Sequence, residues 1–326
     1  MTFPQNRTAR IAVDLMGGQA GCEGNLSACS TYPRPEDLIL VGDRSRCQSS
    51  LQSLVAGGAE FVPSDSPLLG DESISQLLRH KRRSSVAVCA RLVGEGRASA
   101  MVSSADTKAI LAFARFSIGT LPGLHRPAIT KLFGHAGGSF QMLDLGANVQ
   151  CSPRMLFEFA HLGARLMALH QGEALDAKLR IAVLNIGTER GKGPQSLNAA
   201  ATLLSRSEQL NFCGFLEPMD LFTGQADVVV CDGFSGNLVL KTIEGVAHYL
   251  GSQLANVSDS SGDLARLGHA INPELHNGAL LAGINGIVVK SHGSTSEAGF
   301  VRAIEQAGAY LEADLVRSLR SMFDAE

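Results

Sequence analysis

A chain of 326 residues with 45% hydrophobic and 18% charged residues is long enough for one large domain or two smaller ones, and it can bury a substantial core. Its formal charge of −3 supplies no basic field for nucleic acid, which is therefore not expected as a partner. The 35 glycines gather at the ends of apolar runs without a repeat, which excludes collagen-like and low-complexity classes, and no stretch approaches the roughly 20 apolar residues of a membrane span.

In chain order, Arg10–Met16 reads as a strand that breaks at Gly17-Gly18, and Asp37–Gly42 as a second that opens on Asp43-Arg44. Ser84–Glu95 has helical spacing, Ala98–Ser103 is a buried strand, and Thr107–Phe116 is again helical. Phe140–Leu145, Leu179–Ile186, Ala226–Asp232 and Ile284–Lys290 read as further strands. Pro153–His170, Gly236–Leu254 and Ser294–Met322 read as helices. Alternation of this kind predicts a single α/β domain over residues 1–326, with a mostly parallel, Rossmann-like sheet covered on both faces. The weak candidate for an internal boundary is Pro122–Pro127, and a short mobile segment is expected near residues 251–275. The seven cysteines show no CxxC or Cys/His metal spacing. Cys89, Cys213 and Cys231 lie in apolar runs and read as small core residues, which implies a reducing, cytoplasmic setting and no metal.

Ligands of such sheets bind at the carboxyl ends of the strands. Asp14, Gly17 and Gly18 follow the first strand, and the paired glycines suit either a backbone phosphate cradle or an ordinary turn. Asn185–Gly193 (NIGTERGKG) combines glycine turns with Thr188 and Lys192, either as an anion loop or as a solvated one. Gly233, Ser235, Gly236 and Asn237 precede a long helix bearing Lys241, and a helix N-terminus with free N–H groups would seat an anion. Lys290 and His292 join a strand to a helix, where the imidazole suits acid/base work or a structural role. Arg79–Ser85 is a basic run, with Arg83 and Ser84 at the entry of a helix; it reads equally as a solvated face or as a dock for an anionic partner.

Together these segments resemble the PlsX family of acyl-acyl carrier protein:phosphate acyltransferases. The matching pieces are Ile11–Gly18 (IAVDLMGG), Leu143–Asn148 (LDLGAN), Leu184–Thr188 (LNIGT) running on to Lys192-Gly193, Val228–Gly245 and Asn277–Gly293. The resemblance implies a three-layer α/β/α sandwich and a homodimer that moves a fatty acyl group from an acyl carrier protein thioester to inorganic phosphate, without a cofactor. The acyl phosphate product would feed phospholipid synthesis, and peripheral membrane contact stays open. Lys192 and the Gly233–Asn237 turn are then assigned to phosphate or oxyanion binding, with Lys290 and His292 polarising the carbonyl or assisting thiolate departure. Asn148, Ser103, Thr107 and Lys108 fall among the substrate-facing residues. No GxSxG nucleophile elbow is present, in keeping with direct attack by phosphate.

Departures stand out at one loop. Where the family usually reads SAGNTGA, this chain reads Ser103-Ser104-Ala105-Asp106-Thr107-Lys108-Ala109. Gln19 and Gln150 replace the family's aspartates, and the segment between Gly245 and Asn277 is shorter and more polar than usual. Two other readings stay open on these departures: a related acyltransferase with a different acyl donor or acceptor, and a non-catalytic homologue that binds acyl carrier protein.

Overall fold

The structure, a computed structural model, describes residues 9–48, 50–172, 179–254 and 277–321. In chain order the elements are β1 (Ile11–Asp14), α1 (Gly21–Thr31), β2 (Leu38–Gly42), α2 (Leu51–Ala56), β3 (Glu60–Pro63), α3 (Ile74–His80), α4 (Ser85–Gly94), β4 (Ala100–Ser103) and α5 (Thr107–Phe113). There follow β5 (Ala128–His135), β6 (Gly138–Leu143), α6 (Pro153–Gln171), β7 (Arg180–Leu184), α7 (Gln195–Ser205), β8 (Asn211–Leu216) and β9 (Val228–Val230). The last are α8 (Gly233–Leu254), β10 (Ala279–Ala282), β11 (Ile287–Lys290), α9 (Glu297–Glu312) and α10 (Leu315–Arg320).

The chain forms two compact units, and the first ends its opening stretch at Gly119, just before the expected Pro122–Pro127 boundary. Unit one comprises Met1–Gly119, Glu244–Leu280 and Ile284–Asp314. Its strands run β3-β2-β1-β4-β11, all neighbours parallel, with Ala279 and Leu280 of β10 added antiparallel against β11. The chain moves from β1 outward to β2 and β3, then returns to β4 on the other side of β1. Right-handed crossovers therefore put α1 and α4 on opposite faces, and α9 joins α1. The order of strands reverses between β1 and β4, which makes their carboxyl ends the switch point of the sheet.

Unit two comprises Thr120–Ile243, Leu281–Gly283 and Leu315–Glu326. It opens on the antiparallel β5–β6 hairpin and continues β6-β9-β7-β8 in parallel. Val228, Val229 and Val230 are fully buried there. Helix α6 lies over β6 and β9, so close that a Cβ on Gly163 would stand 2.4 Å from Val228 Cγ1. The antiparallel pairs make the sheet mixed, yet most neighbours are parallel and helices cover both sides, as the alternation predicts.

Several boundaries differ from expectation for local reasons. The helix read from Thr107 closes at Phe113 and passes into a π-turn, Ala114–Ile118, that ends on Gly119 at φ +84°. The helix read over Ser294–Met322 is two, because Asp314 takes φ +47° between α9 and α10. Helix α8 begins at Gly233, three residues before the expected Gly236, and most of the segment expected to be mobile lies outside the described residues. Among the described residues no helix is long and apolar enough to cross a membrane.

The cysteines differ from expectation at two points. Cys22 at the start of α1 and Cys47 after β2 form a disulfide with Cα atoms 5.6 Å apart, a pairing that their 25-residue separation does not signal. Cys213, expected in the core, is exposed, because β8 is the outer strand of its unit and bares alternate side chains.

Candidate active site

In unit one, three loops that follow the adjacent parallel strands β1, β4 and β11 close on one another. The Gln19 N–H donates to Gly293 O at 2.6 Å, and the Ser291 N–H donates to Ser103 O at 2.9 Å. Gly17 and Gly18 are there because nothing larger fits. A Cβ on Gly17 would stand 2.6 Å from Ala105 N, and one on Gly18, at φ +77°, would stand 2.8 Å from Ser104 Cβ. Asp14 ends β1 with no exposed surface. It accepts from Ser103 Oγ at 2.6 Å and from Met16 N at 3.0 Å, and it bonds Ser85 and Gly17 as well. Burial raises its pKa, while these donors pull the other way. Ser103 also accepts from Ala105 N, so its hydroxyl is turned inward and supports the loop.

Lys290 and His292 stand at the end of β11. Lys290 Nζ donates to Ser291 O at 3.2 Å. His292 is anchored through its backbone N–H on Asn277 Oδ1 at 3.0 Å, its Nδ1 lies 3.0 Å from Ser294 Oγ, and its Nε2 is 3.8 Å from Glu244 Oε2. The buried Asn277 also donates to Ser291 Oγ and Gly299 O, so one amide fixes the whole KSHG turn.

The same unit encloses a cavity of about 360 Å³ at the switch point. Asp14, Gly17, Gly18 and Lys108 line it, four residues singled out from sequence. Arg46, Glu72, Leu69 and Leu77 line it too, and sequence reading missed all four. Arg46 sits in a turn without periodic signal. Glu72 carries a clue only in hindsight: its buried carboxylate accepts from Leu69 N and Gly70 N and pairs with Lys81, which lowers its pKa. Asp106 caps α5 by accepting from Lys108 N at 2.9 Å. Thr107, the first residue of α5, is half-buried.

The basic run is more occupied than a free docking face would be. Arg83 pairs with Asp65, Arg82 donates to Leu78 O and lies over the Phe116 ring, and Lys81 donates to Pro67 O. Ser84 is buried and donates to Lys81 O, and it is Ser85 beside it that reaches the cavity.

In unit two the loops after β6, β9 and β7 lie side by side. Asp144 ends with no exposed surface and accepts from Ile129 N, Gly146 N, Ala147 N, Asn148 N and Asn148 Nδ2, all between 2.7 and 3.1 Å. Burial raises its pKa against the pull of these donors. Sequence reading quoted this residue inside LDLGAN without singling it out; an acid at a strand end before Gly-Ala-Asn was the available signal. Asn148 also donates to Pro127 O, and its carbonyl accepts from Gly233 N at 2.7 Å. The loop after β9 is thereby locked onto the loop after β6. A Cβ on Gly233 would meet Asn148 O at 2.5 Å, and one on Gly236 would meet Asp144 O at 1.9 Å.

The expectation of free N–H groups at this helix start is corrected. Gly233–Asn237 form the first turn of α8, and the N–H groups of Gly233, Ser235 and Gly236 are engaged by Asn148 O, Asp232 Oδ1 and Asp232 O. Asn237, at the end of that turn, and Lys241, one turn on, remain exposed, with Asn237 packed on Gly146. After β7, Asn185 and Asn198 both donate to Lys192 O and shape the loop around it. Lys192 and Thr188 are exposed, and Lys192 Nζ pairs with Glu189 at 2.8 Å, which raises the lysine pKa. Around these loops Val149, Ile186 and Phe234 are each more than half exposed, an apolar fringe beside polar groups.

The structure thus brings Asp14, Gly17, Gly18, Ser103, Lys108, Lys290 and His292 to one strand-end region of unit one. It brings Asn148, Gly233, Gly236 and Asn237 to that of unit two, with Thr188 and Lys192 on the loop of the adjacent strand. No cluster of three or more His, Cys, Asp or Glu able to hold a metal occurs among the described residues.

Comparison with known proteins accords with this geometry. The family described as "Fatty acid synthesis protein" matches residues 9–318. A phosphate acyltransferase of Pseudomonas savastanoi pv. phaseolicola is 41% identical over 91% of this chain and 91% of its own. One from Chromobacterium violaceum is 40% identical over 95% of this chain and 93% of its own. Among solved structures, a phosphotransacetylase from Streptococcus pyogenes superposes with a TM-score of 0.59 at 20% identity, covering 93% of this chain and 94% of that one. The EutD phosphotransacetylase of Staphylococcus aureus gives 0.57 at 18% identity, covering 92% and 94%. At such identities these last two speak for the fold alone.

Filling the contact at the start of α8 should be costly. Gly236→Ala is expected to lower the unfolding free energy by about 3 kcal/mol through overpacking against Asp144 O. A urea melt followed by circular dichroism checks it, and an unchanged midpoint would show that the two loops are not locked.

Proposed function

Because the chain belongs to the fatty acid synthesis protein family, the PlsX phosphate acyltransferases, we propose that it transfers a fatty acyl group from an acyl carrier protein thioester to inorganic phosphate. The observation that carries this reading is likeness to named phosphate acyltransferases across more than nine-tenths of the chain. In the transfer a phosphate oxygen attacks the thioester carbonyl, the C–O bond forms, the C–S bond breaks, and the carrier thiolate leaves and takes up a proton. The protein must gather a dianion beside a carbonyl and stabilise the oxyanion that develops. Within unit two, Lys192 and Asn237 are assigned to binding the phosphate and the oxyanion. The Lys192–Glu189 pair is exposed, and exposed pairs hold weakly, so an incoming phosphate displaces the carboxylate.

The purified protein, given acyl carrier protein thioester, should release carrier thiol only when phosphate is present. Release without phosphate, or none across a series of chain lengths, overturns the reading. Lys192→Ala is expected to cut kcat/KM for phosphate about 100-fold, on the scale of losing one preorganised charge partner. An unaltered value would remove Lys192 from the site.

The reading extends to a cytoplasmic homodimer. Support comes from α8, where Val246, Tyr249 and Leu250 are 52%, 64% and 44% exposed, an apolar stripe that a second copy would cover. Sedimentation should report a dimer for the native chain and a monomer for Tyr249→Glu; a native monomer would end the proposal.

A further inference from the structure

Sequence gives the Pro122–Pro127 stretch no role beyond a boundary, yet it carries a charged group to the loops of unit two. Strand β5 is antiparallel to β6, so the chain enters β5 at the end of the sheet where β6, β9 and β7 finish. Arg126 lies just before β5 and therefore stands at the strand-end region that holds Asn148 and Gly233. Its backbone is pinned on both sides. Glu158 of α6, 2% exposed, accepts from the His125 N–H and from Arg154 Nε, each at 3.1 Å, and His125 Nδ1 lies 2.6 Å from it. On the other side Pro127 O accepts from Asn148 Nδ2 at 2.8 Å, and the Ile129 N–H donates to Asp144 Oδ1 at 3.0 Å.

The charges around this corner are committed elsewhere. Arg154 is held by Glu158 and lies over the Phe157 ring, Asp144 is met by its donors, and Asp232 accepts from the Ser235 N–H. Arg126 differs: it is exposed, and among the described residues it takes part in no ion pair. Its field nonetheless reaches the loops. Burial, with the Asp144 charge, pushes the Cys151 thiol up to about 12, while the Gly233 N–H and the Arg126 charge pull it back. Cys151 itself donates to Asn148 O, the carbonyl that receives Gly233 N.

A phosphate dianion needs more positive charge than Lys192 brings, because Glu189 comes with that lysine. Arg126 is a cation without an attached carboxylate, and it stands on the β5–β6 side of the Asn148–Gly233 contact, whereas Lys192 follows β7. Its planar fork matches two phosphate oxygens at once. A loop fixed through a buried carboxylate presents that fork at a smaller ordering cost than a freely moving surface arginine would bear.

We propose that Arg126 is a phosphate-binding residue of the transfer reaction, gripping the acceptor phosphate from the side of the site opposite Lys192. This rests on the acyl-transfer reading and adds to it the cation that offsets the acceptor's second charge.

A phosphorus NMR titration of the full chain with inorganic phosphate tests it without turnover. The wild type is expected to bind, Arg126→Gln to bind about tenfold more weakly, and Arg126→Lys, which keeps the charge and loses the fork, to fall between them. Arg302→Gln removes the same charge from the surface of unit one and should leave phosphate binding unaltered. In turnover Arg126→Gln should raise KM for phosphate about tenfold and move KM for the acyl donor less than twofold, a split that a general loss of structure would not give. Arg126 is exposed, so the variant should melt at the wild-type temperature. No phosphate binding by the wild type, equal binding by Arg126→Gln, a loss of the same size in Arg302→Gln, or a donor KM that rises while phosphate KM stays put overturns the proposal. Thiol release that needs phosphate but is indifferent to Arg126 sinks this inference and spares the acyl-transfer reading. Arg126-dependent phosphate binding by a protein that never releases thiol does the reverse, leaving a phosphate site on Arg126 without the transfer.

Discussion

A carboxylate buried at the end of a strand has to be met by donors on every side, and that requirement organises both units. Asp144 draws four backbone N–H groups and one side-chain amide onto itself, so the chain after β6 has only one way to turn. That turn presents Asn148 O to Gly233 N and leaves just enough room for Gly236 against Asp144 O. The start of α8 is therefore placed by the buried Asp144 carboxyl group. Asp14 does the same for unit one with hydroxyls as well as N–H groups, which ties the ends of β1 and β4 together through Ser103.

The cations of the molecule divide along similar lines. Lys81 and Arg83 are paired with Glu72 and Asp65, and their charge maintains the loop between β3 and α4. Lys192 is also paired, yet on the surface, where solvent and an arriving anion compete easily with Glu189. A sequence shows how many cations a loop has; which of them are free to act depends on carboxylates that come from elsewhere in the chain.

The strands were legible wherever burial on both faces produced an unbroken apolar run, as in Ile11–Asp14, Ala100–Ser103 and Val228–Val230. Helices with a clear apolar stripe, α4 and α6, were legible to within a residue or two. Helix α1 was not, because Gly21–Thr31 is built of small and polar residues whose burial is decided by α9 packing on it. Of the β5–β6 hairpin, β6 was read but β5 was missed, because Lys131, Gly134 and His135 interrupt it. Glycine-rich turns pointed correctly to the strand ends. The direction of each hydroxyl did not follow from sequence, so Ser84 and Ser103 proved to be supports, and Arg46, on a turn without period, went unnoticed.

The thiol chemistry of the chain follows from where its sheet ends. Burial pushes the Cys29 and Cys151 thiols up to about 12 and raises Cys89 and Cys231 well above their ordinary value, and Cys22 and Cys47 are joined. Cys213 is the free cysteine left facing solvent, on the outermost strand of unit two, although partial burial raises its thiol as well and the thiol donates to Ile181 O. Sulfhydryl reagents will therefore discriminate by access, and a fluorophore or spin label carried on a maleimide has a natural attachment point at Cys213 without any engineered residue.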